Sequence, residues 1–250
     1  MHHLRAELLP LILLLLFPLL LFAPVALGNQ TLLPLDALYL FEPYKSAALT
    51  MNAGTPDNPL LSDLILENYV WQRFLVKAVG QGDLPLWDPF IFAGHPFLAN
   101  GQHSALYPLR ILFHLVPIPQ AYGLFIVLQL GLAGIWMYLL GRTLGARRLG
   151  AFLAGVTFQF SGFLIVSVVH PMIIAAASWL PLLLALVELT IRREPFLSGH
   201  KDATSQRTML PWALLGAIAL GLETLAGHAE ITRSEEQTSE LQSRITLSYA

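Results

Sequence analysis

Residues 122–140 have the sequence YGLFIVLQLGLAGIWMYLL, which contains one Gln and no charged side chain. A helix needs roughly 20 mainly apolar residues to cross the hydrocarbon core of a bilayer, so this stretch predicts a transmembrane span. Four further apolar stretches flank it, at residues 8–27, 149–169, 172–191 and 211–226. The sequence therefore predicts an all-α polytopic membrane protein with about five transmembrane helices.

The composition of the chain supports this class. Of its 250 residues, 55% are hydrophobic and 12% are charged, whereas soluble domains carry about 25% charged residues. The net charge is −2, and the basic side chains are spread in small groups, which argues against nucleic acid as a partner. The sequence contains no cysteine, which excludes disulfides, zinc thiolates and thiol nucleophiles within it.

The first apolar stretch, residues 8–27, has two interpretations. Ala26-Leu27-Gly28 resembles a cleavage site, which would make the stretch a removable signal peptide. Its apolar run, however, exceeds the usual length of about 7 to 15 residues for a signal-peptide core. We therefore expect an uncleaved membrane anchor.

Basic residues near the span ends predict the orientation of the chain. They lie at Arg5, at Arg142, Arg147 and Arg148, and at Arg192, Arg193, Lys201 and Arg207. Because Lys and Arg accumulate in cytoplasmic loops, the N-terminus is expected in the cytoplasm and the long loop 28–120 outside. Leu106–Pro117 is apolar but too short to span, and we expect it to be interfacial or re-entrant.

The outer loop, residues 28–120, contains one long predicted helix at about residues 60–79. Asn58-Pro59 is typical of a helix start, and Gly80 and Gly82 of a helix end. One face is apolar, with Leu60, Leu64, Trp71, Phe74, Leu75 and Ala78. The opposite face carries Asp63, Glu67, Arg73 and Lys77. This pattern predicts an amphipathic interfacial helix with its aromatic side on the membrane, although the charged face also suits a plain solvated surface.

The chain contains several short motifs of turn, aromatic and polar residues. They are Ser62-Asp63-Leu64 with Tyr69 following, Gly82-Asp83-Leu84-Pro85-Leu86-Trp87, Gly94-His95-Pro96-Phe97-Leu98-Ala99-Asn100, Tyr107-Pro108, Phe160-Ser161-Gly162-Phe163, His170-Pro171, Trp179-Leu180-Pro181-Leu182 and Gly227-His228. Together these motifs resemble bacterial YfhO-like membrane proteins. The likeness covers nearly all of residues 1–232. The resemblance implies a GT-C-type glycosyltransferase architecture with ten or more spans. It also implies a sugar donor carried on a polyprenyl phosphate or diphosphate, and a cell-envelope acceptor.

The same resemblance implies one catalytic residue. Asp63 matches the acidic residue of the family's first outer loop and is the first candidate for the catalytic base. Glu67 stands one turn later, where relatives more often have Gln, so the resemblance assigns it no role. From its spacing, Glu67 could share a metal ion or a proton with Asp63, although paired surface acids without function fit equally well. Sugar transfer also needs cations for the departing phosphate. Arg73, Lys77 and Arg110 are the candidates, and contact with lipid head groups fits them equally well.

Further polar residues are expected on the outer side of the membrane. His95 lies in the outer loop, His170 between the third and fourth spans, and His228 after the fifth. Glu223 lies inside the fifth span, where an ionisable residue indicates a functional site by default. For Glu223 and His228, a helix-packing contact fits as well as a substrate site. A divalent metal is possible, but the spacing of these residues indicates no tight ligand set.

Two other functions fit these residues. In a transporter or flippase of a lipid-linked precursor, the acids and histidines would line a pathway. In a noncatalytic envelope membrane protein, the outer-face acids would be dispensable.

The last residues have a different composition. The segment Arg233–Ser243 is polar and resembles a translated sequencing adapter, with Gln237 where the usual frame gives His. We expect residues 233–250 to be an artefactual tail and residues 1–232 to be the N-terminal part of a longer transmembrane domain.

Overall fold

The computed structural model describes residues 2–192 except 29, 55, 57, 59 and 60, together with residues 209–228 and 230; for residues 2–5 it describes the backbone alone. The expected tail, residues 233–250, lies outside the described residues. Arg193, Lys201 and Arg207, which supported the orientation, also lie outside them.

The first apolar stretch forms two consecutive helices. Helix α1 covers His2–Leu21 and helix α2 covers Ala23–Ala26. Pro24 lies in the first turn of α2, where the missing N–H removes no helical hydrogen bond.

The outer loop consists of short elements around one longer helix. They are a 3-10 helix Leu35–Leu40, α3 (Tyr44–Ala47), a π-helical turn Leu64–Asn68, α4 (Tyr69–Gly80), β1 (Trp87–Asp88), β2 (His95–Pro96), α5 (Phe97–Asn100), a 3-10 helix Pro108–Ile111 and α6 (Leu112–Leu115). The strands pair antiparallel. The helix expected over residues 60–79 is present from Ser62 to Gly80, with a π-helical turn that the sequence did not predict. As expected, residues 106–117 contain no helix of span length.

The remaining apolar stretches form the helical bundle. Its elements are α7 (Ile118–Thr143), α8 (Arg148–Gln159), α9 (Gly162–Val166), a 3-10 helix Ser167–Val169, α10 (Pro171–Ala177), α11 (Leu180–Ile191) and α12 (Met209–Leu225). Three helical segments of the described chain are long and apolar enough to cross a membrane: Ile118–Thr143, Arg148–Val169 and Pro171–Ile191. The first and fifth expected spans contain shorter apolar helices, Ala6–Leu21 and Met209–Leu225. These lengths and compositions indicate a helical membrane protein.

Helix α7 is the centre of the bundle and packs against α1, α8 and α11. Glycines of α7 allow α1 and α2 to approach closely. A Cβ added at Gly131 would lie 2.7 Å from the Leu15 side chain, and one at Gly123 would lie 2.5 Å from the carbonyl oxygen of Val25. Small residues at helix contacts are typical of packing inside membranes, where dispersion contacts replace the hydrophobic drive.

Charged residues gather at the end of the bundle opposite the outer loop. Glu7 pairs with Arg142 at 3.2 Å and with Arg148 at 2.9 Å. Arg192 donates to the carbonyl oxygen of Thr143 at 3.1 Å. Three of the basic residues assigned to the cytoplasm from the sequence thus share one end of the structure, and the orientation across the membrane stays a prediction.

Candidate functional site

The helix of the outer loop separates an apolar from a charged face. Leu64, Trp71 and Leu75 are buried, and the helix packs against α6 and α7. Its apolar face therefore covers the core of the protein, and the expectation that this face rests on lipid is wrong. The exposed face carries Asp63, Glu67, Arg73 and Lys77.

The π-helical turn lies between Asp63 and α4. The Asn68 Nδ2 group donates to the carbonyl oxygen of Asp63 at 3.5 Å, across five residues. A π-helical turn holds more residues than an α-helical turn, so it displaces Asp63 from the position that a regular helix would give it relative to Arg73. Turns of this kind are frequent at functional sites.

Glu67 and Asp63 are electrostatically coupled. Partial burial and then the charge of Asp63 raise the pKa of Glu67. Both causes act on the charged form, because burial removes water from the carboxylate and a like charge repels it. The raised pKa makes Glu67 a better proton acceptor than an ordinary exposed carboxylate.

Arg73 and Lys77 line a groove with a volume of about 510 Å³, here called the cationic groove. Its walls include the side chains of Tyr44, Ile65, Leu66, Tyr69, Phe74 and Phe90. Asp88 also borders it, but this carboxylate is buried and accepts a hydrogen bond from the Phe90 N–H at 2.9 Å. The groove therefore combines two exposed cations with apolar and aromatic walls.

Arg110 lies inside the protein and lines no part of the cationic groove. Its guanidinium carbon is 4.6 Å from the ring centre of Phe125 and 5.1 Å from that of Phe113. Burial lowers the pKa of Arg110 to about 10, so the side chain stays charged at neutral pH. A role in binding phosphate stays a prediction for this residue.

Ser104 connects the outer loop to the end of α12. Its hydroxyl donates to the Ala226 carbonyl oxygen at 2.5 Å and accepts from Arg110 Nη2 at 3.3 Å. Gly227 has a φ of 92°, and a Cβ there would lie 2.7 Å from the carbonyl oxygen of Gly101. The backbones of the loop and of α12 therefore meet closely, and a side chain at residue 227 would disrupt the junction.

Three of the sequence-selected polar residues lie near this junction, at the loop end of the bundle. His228 lines a polar cleft of about 590 Å³ together with Asn100, Gln102, Thr224 and Glu230. Glu223 is fully buried about one turn earlier. His170 precedes α10, which packs against α12. None of the three lines the cationic groove.

Two histidines support the loop. His103, which the sequence did not select for the site, is buried and stacks on Phe97 with ring centres 4.0 Å apart. Its Nδ1 accepts from the Ala105 N–H at 3.1 Å, so its Nε2 donates to the Phe97 carbonyl oxygen at 2.7 Å. Burial lowers the pKa of His103, which favours this neutral form. His95 lies opposite Asp88 in the strand pair.

A buried polar network joins the loop to the bundle. Gln129 Nε2 donates to the Tyr107 hydroxyl oxygen at 2.9 Å, and Trp179 Nε1 donates to the same oxygen at 3.1 Å. Ser178 donates to Gln129 Oε1 at 3.1 Å. Tyr107 and Trp179 both lie in motifs of the sequence likeness, but the motifs did not show that the two side chains meet. The hydrogen bonds of this network join the loop to the middle of α7 and to the junction between α10 and α11.

Metal binding has no geometric support in the part of the chain that the structure describes. No group of three or more His, Asp or Glu side chains there is arranged to hold a metal ion.

The apolar helices and the long loop indicate the class of the protein: it is a helical membrane protein with a cation-lined groove in its long loop. Comparison of the chain with protein family models, curated proteins and solved structures finds no match. The YfhO resemblance rests on the sequence motifs alone.

Proposed function

We propose that the protein is a membrane glycosyltransferase of the YfhO-like, GT-C type that acts on the outer face of the membrane. The observation that carries the proposal is the placement of Arg73 and Lys77 in one apolar-walled groove, on the helix that follows Asp63. The proposed partners of the protein are a lipid-linked sugar donor, a cell-envelope polymer or lipid acceptor, and membrane lipids.

The cationic groove suits an anionic amphiphile. The planar guanidinium of Arg73 can bind a phosphate through two parallel hydrogen bonds, and Lys77 adds a compact charge one turn later. The aromatic walls suit the first isoprenoid units of a polyprenyl chain, because they bury apolar surface without unpaired polar groups. Both halves of a polyprenyl phosphate therefore find matching chemistry in one groove.

Asp63 is the proposed general base. The acceptor hydroxyl oxygen bonds to the anomeric carbon, the bond from that carbon to the phosphate oxygen breaks, and the electron pair leaves with the phosphate. Asp63 takes the proton of the attacking hydroxyl. Glu67, whose pKa is raised, is the second catalytic candidate. The other proposed substrate-binding residues are Arg110, His95, His170, Glu223 and His228.

The test is sugar transfer from a polyprenyl-linked donor, measured with the full-length protein in proteoliposomes. Asp63→Asn should lower kcat by at least about 100-fold, the usual range for a general base. Asp36→Asn removes another exposed acid of the outer loop and should leave transfer unchanged. Unchanged transfer in Asp63→Asn would contradict the catalytic proposal.

The groove has its own test. Arg73→Gln and Lys77→Gln should each raise KM for the lipid donor by about 10- to 100-fold, because a charge-assisted hydrogen bond contributes about 1.5–3 kcal/mol. Arg147→Gln, an exposed cation at the other end of the bundle, is the control. Transfer that stays normal while donor translocation across the bilayer falls would favour the flippase alternative.

A further inference from the structure

The strand pair of the outer loop displays large apolar side chains to the outside. Residues 84–94, here called the aromatic hairpin, include Leu84, Phe90 and Phe92, which are 76%, 73% and 92% exposed. Leu86 and Trp87 are each 56% exposed. Clusters of this kind mark interaction surfaces, because single exposed apolar residues are common and adjacent ones are not.

The turn of the aromatic hairpin holds Phe92 in an unfavourable backbone conformation. The Gly94 N–H donates to the Ile91 carbonyl oxygen at 2.8 Å, and the two residues between them, Phe92 and Ala93, have φ values of 52° and 60°. Tight hairpin turns with two positive φ values favour Asn-Gly. A bulky residue in this conformation is an outlier, and such outliers concentrate at functional surfaces.

The stem of the hairpin is fixed to the rest of the loop. A Cβ at Gly94 would lie 2.4 Å from Trp87 Nε1, so the indole lies directly on the glycine backbone. The Phe97 N–H donates to the Leu86 carbonyl oxygen at 2.9 Å, and Phe90 meets Phe74 edge to face at 6.2 Å. These contacts hold the hairpin in place, so its exposed apolar side chains are kept at the surface of the folded loop.

The surroundings of the hairpin indicate a lipid surface as its partner. The outer loop leaves apolar α2 at Ala26 and re-enters the bundle at Ile118, so helices of a membrane protein tether it at both ends. Lys77 and Phe90 border the same groove, which places a cation beside the aromatic residues. Trp and Phe with an adjacent Lys match the head-group region, where aromatic rings lie at the interface and the ammonium reaches lipid phosphate.

We propose that the aromatic hairpin inserts into the head-group region of the leaflet nearest the outer loop. The α4 helix cannot fill this role, because its apolar face is buried in the protein. The proposal shares Lys77 and Phe90 with the proposed donor groove, but its test measures the depth of the hairpin in the bilayer and does not depend on sugar transfer.

The 250 residues contain no cysteine, so an introduced cysteine is unique among them, and any cysteine in the remainder of the full-length protein is first replaced by serine. Phe92→Cys carries an NBD fluorophore, and the protein is reconstituted into phosphatidylcholine–phosphatidylglycerol nanodiscs. Lipids carry a nitroxide quencher either at the shallow or at the deep end of the acyl chain. Leu84→Cys is a second probe site, and Gln81→Cys, exposed at the base of the hairpin, is the control.

NBD at residue 92 should emit at shorter wavelength than at residue 81, with at least twofold stronger quenching by the shallow nitroxide than by the deep one. Residue 84 should respond in the same sense. Emission typical of water at both hairpin sites, with no lipid quenching, would overturn the proposal. A disulfide-linked dimer of Phe92→Cys in nanodiscs would also overturn it, because a second copy would then cover the hairpin.

Discussion

Leu14 of α1 lies against Gly155 of α8 so closely that a Cβ on the glycine would come within 3.0 Å of the leucine side chain. The same Cβ would lie 2.8 Å from the carbonyl oxygen of Gly134 in α7. Three helices therefore meet at one level of the bundle, and Leu14 is fully buried there. Close backbone approach of this kind maximises dispersion contacts between apolar helices.

Gly155→Ala should destabilise the protein, because the nearest obstacle is a backbone oxygen that cannot rotate away. Overpacking of this kind costs about 1–3 kcal/mol. Gly150→Ala in the same helix is the matched control. Nothing lies within 4 Å of a Cβ at Gly150, so its helix propensity alone changes, and it should stabilise by about 0.5–1 kcal/mol. Thermal unfolding in detergent measures both, and equal melting temperatures for the two variants would exclude the packing model.

Ser104→Ala should weaken the junction between the outer loop and α12. The substitution removes the hydroxyl that joins Arg110 to Ala226, and a buried group that loses its partner costs about 1–3 kcal/mol. Limited proteolysis of the loop should accelerate by about 5-fold or more, in line with this cost. Ser46→Ala, which removes a loop hydroxyl whose hydrogen bonds to Glu42 and Pro43 are exposed to water, should change the rate much less. A normal rate in Ser104→Ala would show that the junction does not depend on this hydroxyl.

Hydropathy predicted the apolar helices of the bundle well, because the thickness of a bilayer sets the length of an apolar segment that crosses it. The span predicted at residues 122–140, for example, lies within Ile118–Thr143. Periodicity identified the buried face of the loop helix, including Trp71 and Leu75. It could not show whether protein or lipid covers this face, because the cover depends on which elements distant in the sequence pack against the helix.

Arg110 illustrates the limit for the candidate site. The helical segment around Arg110 is too short for hydrophobic periodicity to show which of its faces is buried. The sequence therefore indicated a cation near the outer face but not its burial between Phe113 and Phe125. Breaks near Ser161 and Trp179 also went unpredicted, since the hydropathy of an apolar run does not report where its helix is interrupted.

The pH dependence of stability should contain a contribution from Glu67. Its pKa is raised in the folded state, so folding favours the protonated carboxyl, and stability falls as pH rises from the ordinary pKa of Glu67 through the folded one. Glu67→Gln should therefore raise the melting temperature above this window and leave it nearly unchanged below it. Asp36→Asn is the control. A melting temperature that Glu67→Gln lowers at neutral pH would contradict the coupling to Asp63.

Helix α1 should remain part of the mature protein. Its removal after Gly28 would uncover the surface formed by Gly131 and Gly155 and would take away Glu7, which pairs with Arg142 and Arg148 at the other end of the bundle. The contacts of α1 and α2 thus follow α7 from Arg142 to Gly123, whereas removal of a signal peptide does not expose a surface that was buried in the mature protein. An epitope placed before residue 1 should therefore stay on protein purified from membranes, and the intact mass should include residues 1–28. A protein that lacks these residues and still unfolds cooperatively at the same temperature would show that the α1 contacts are dispensable.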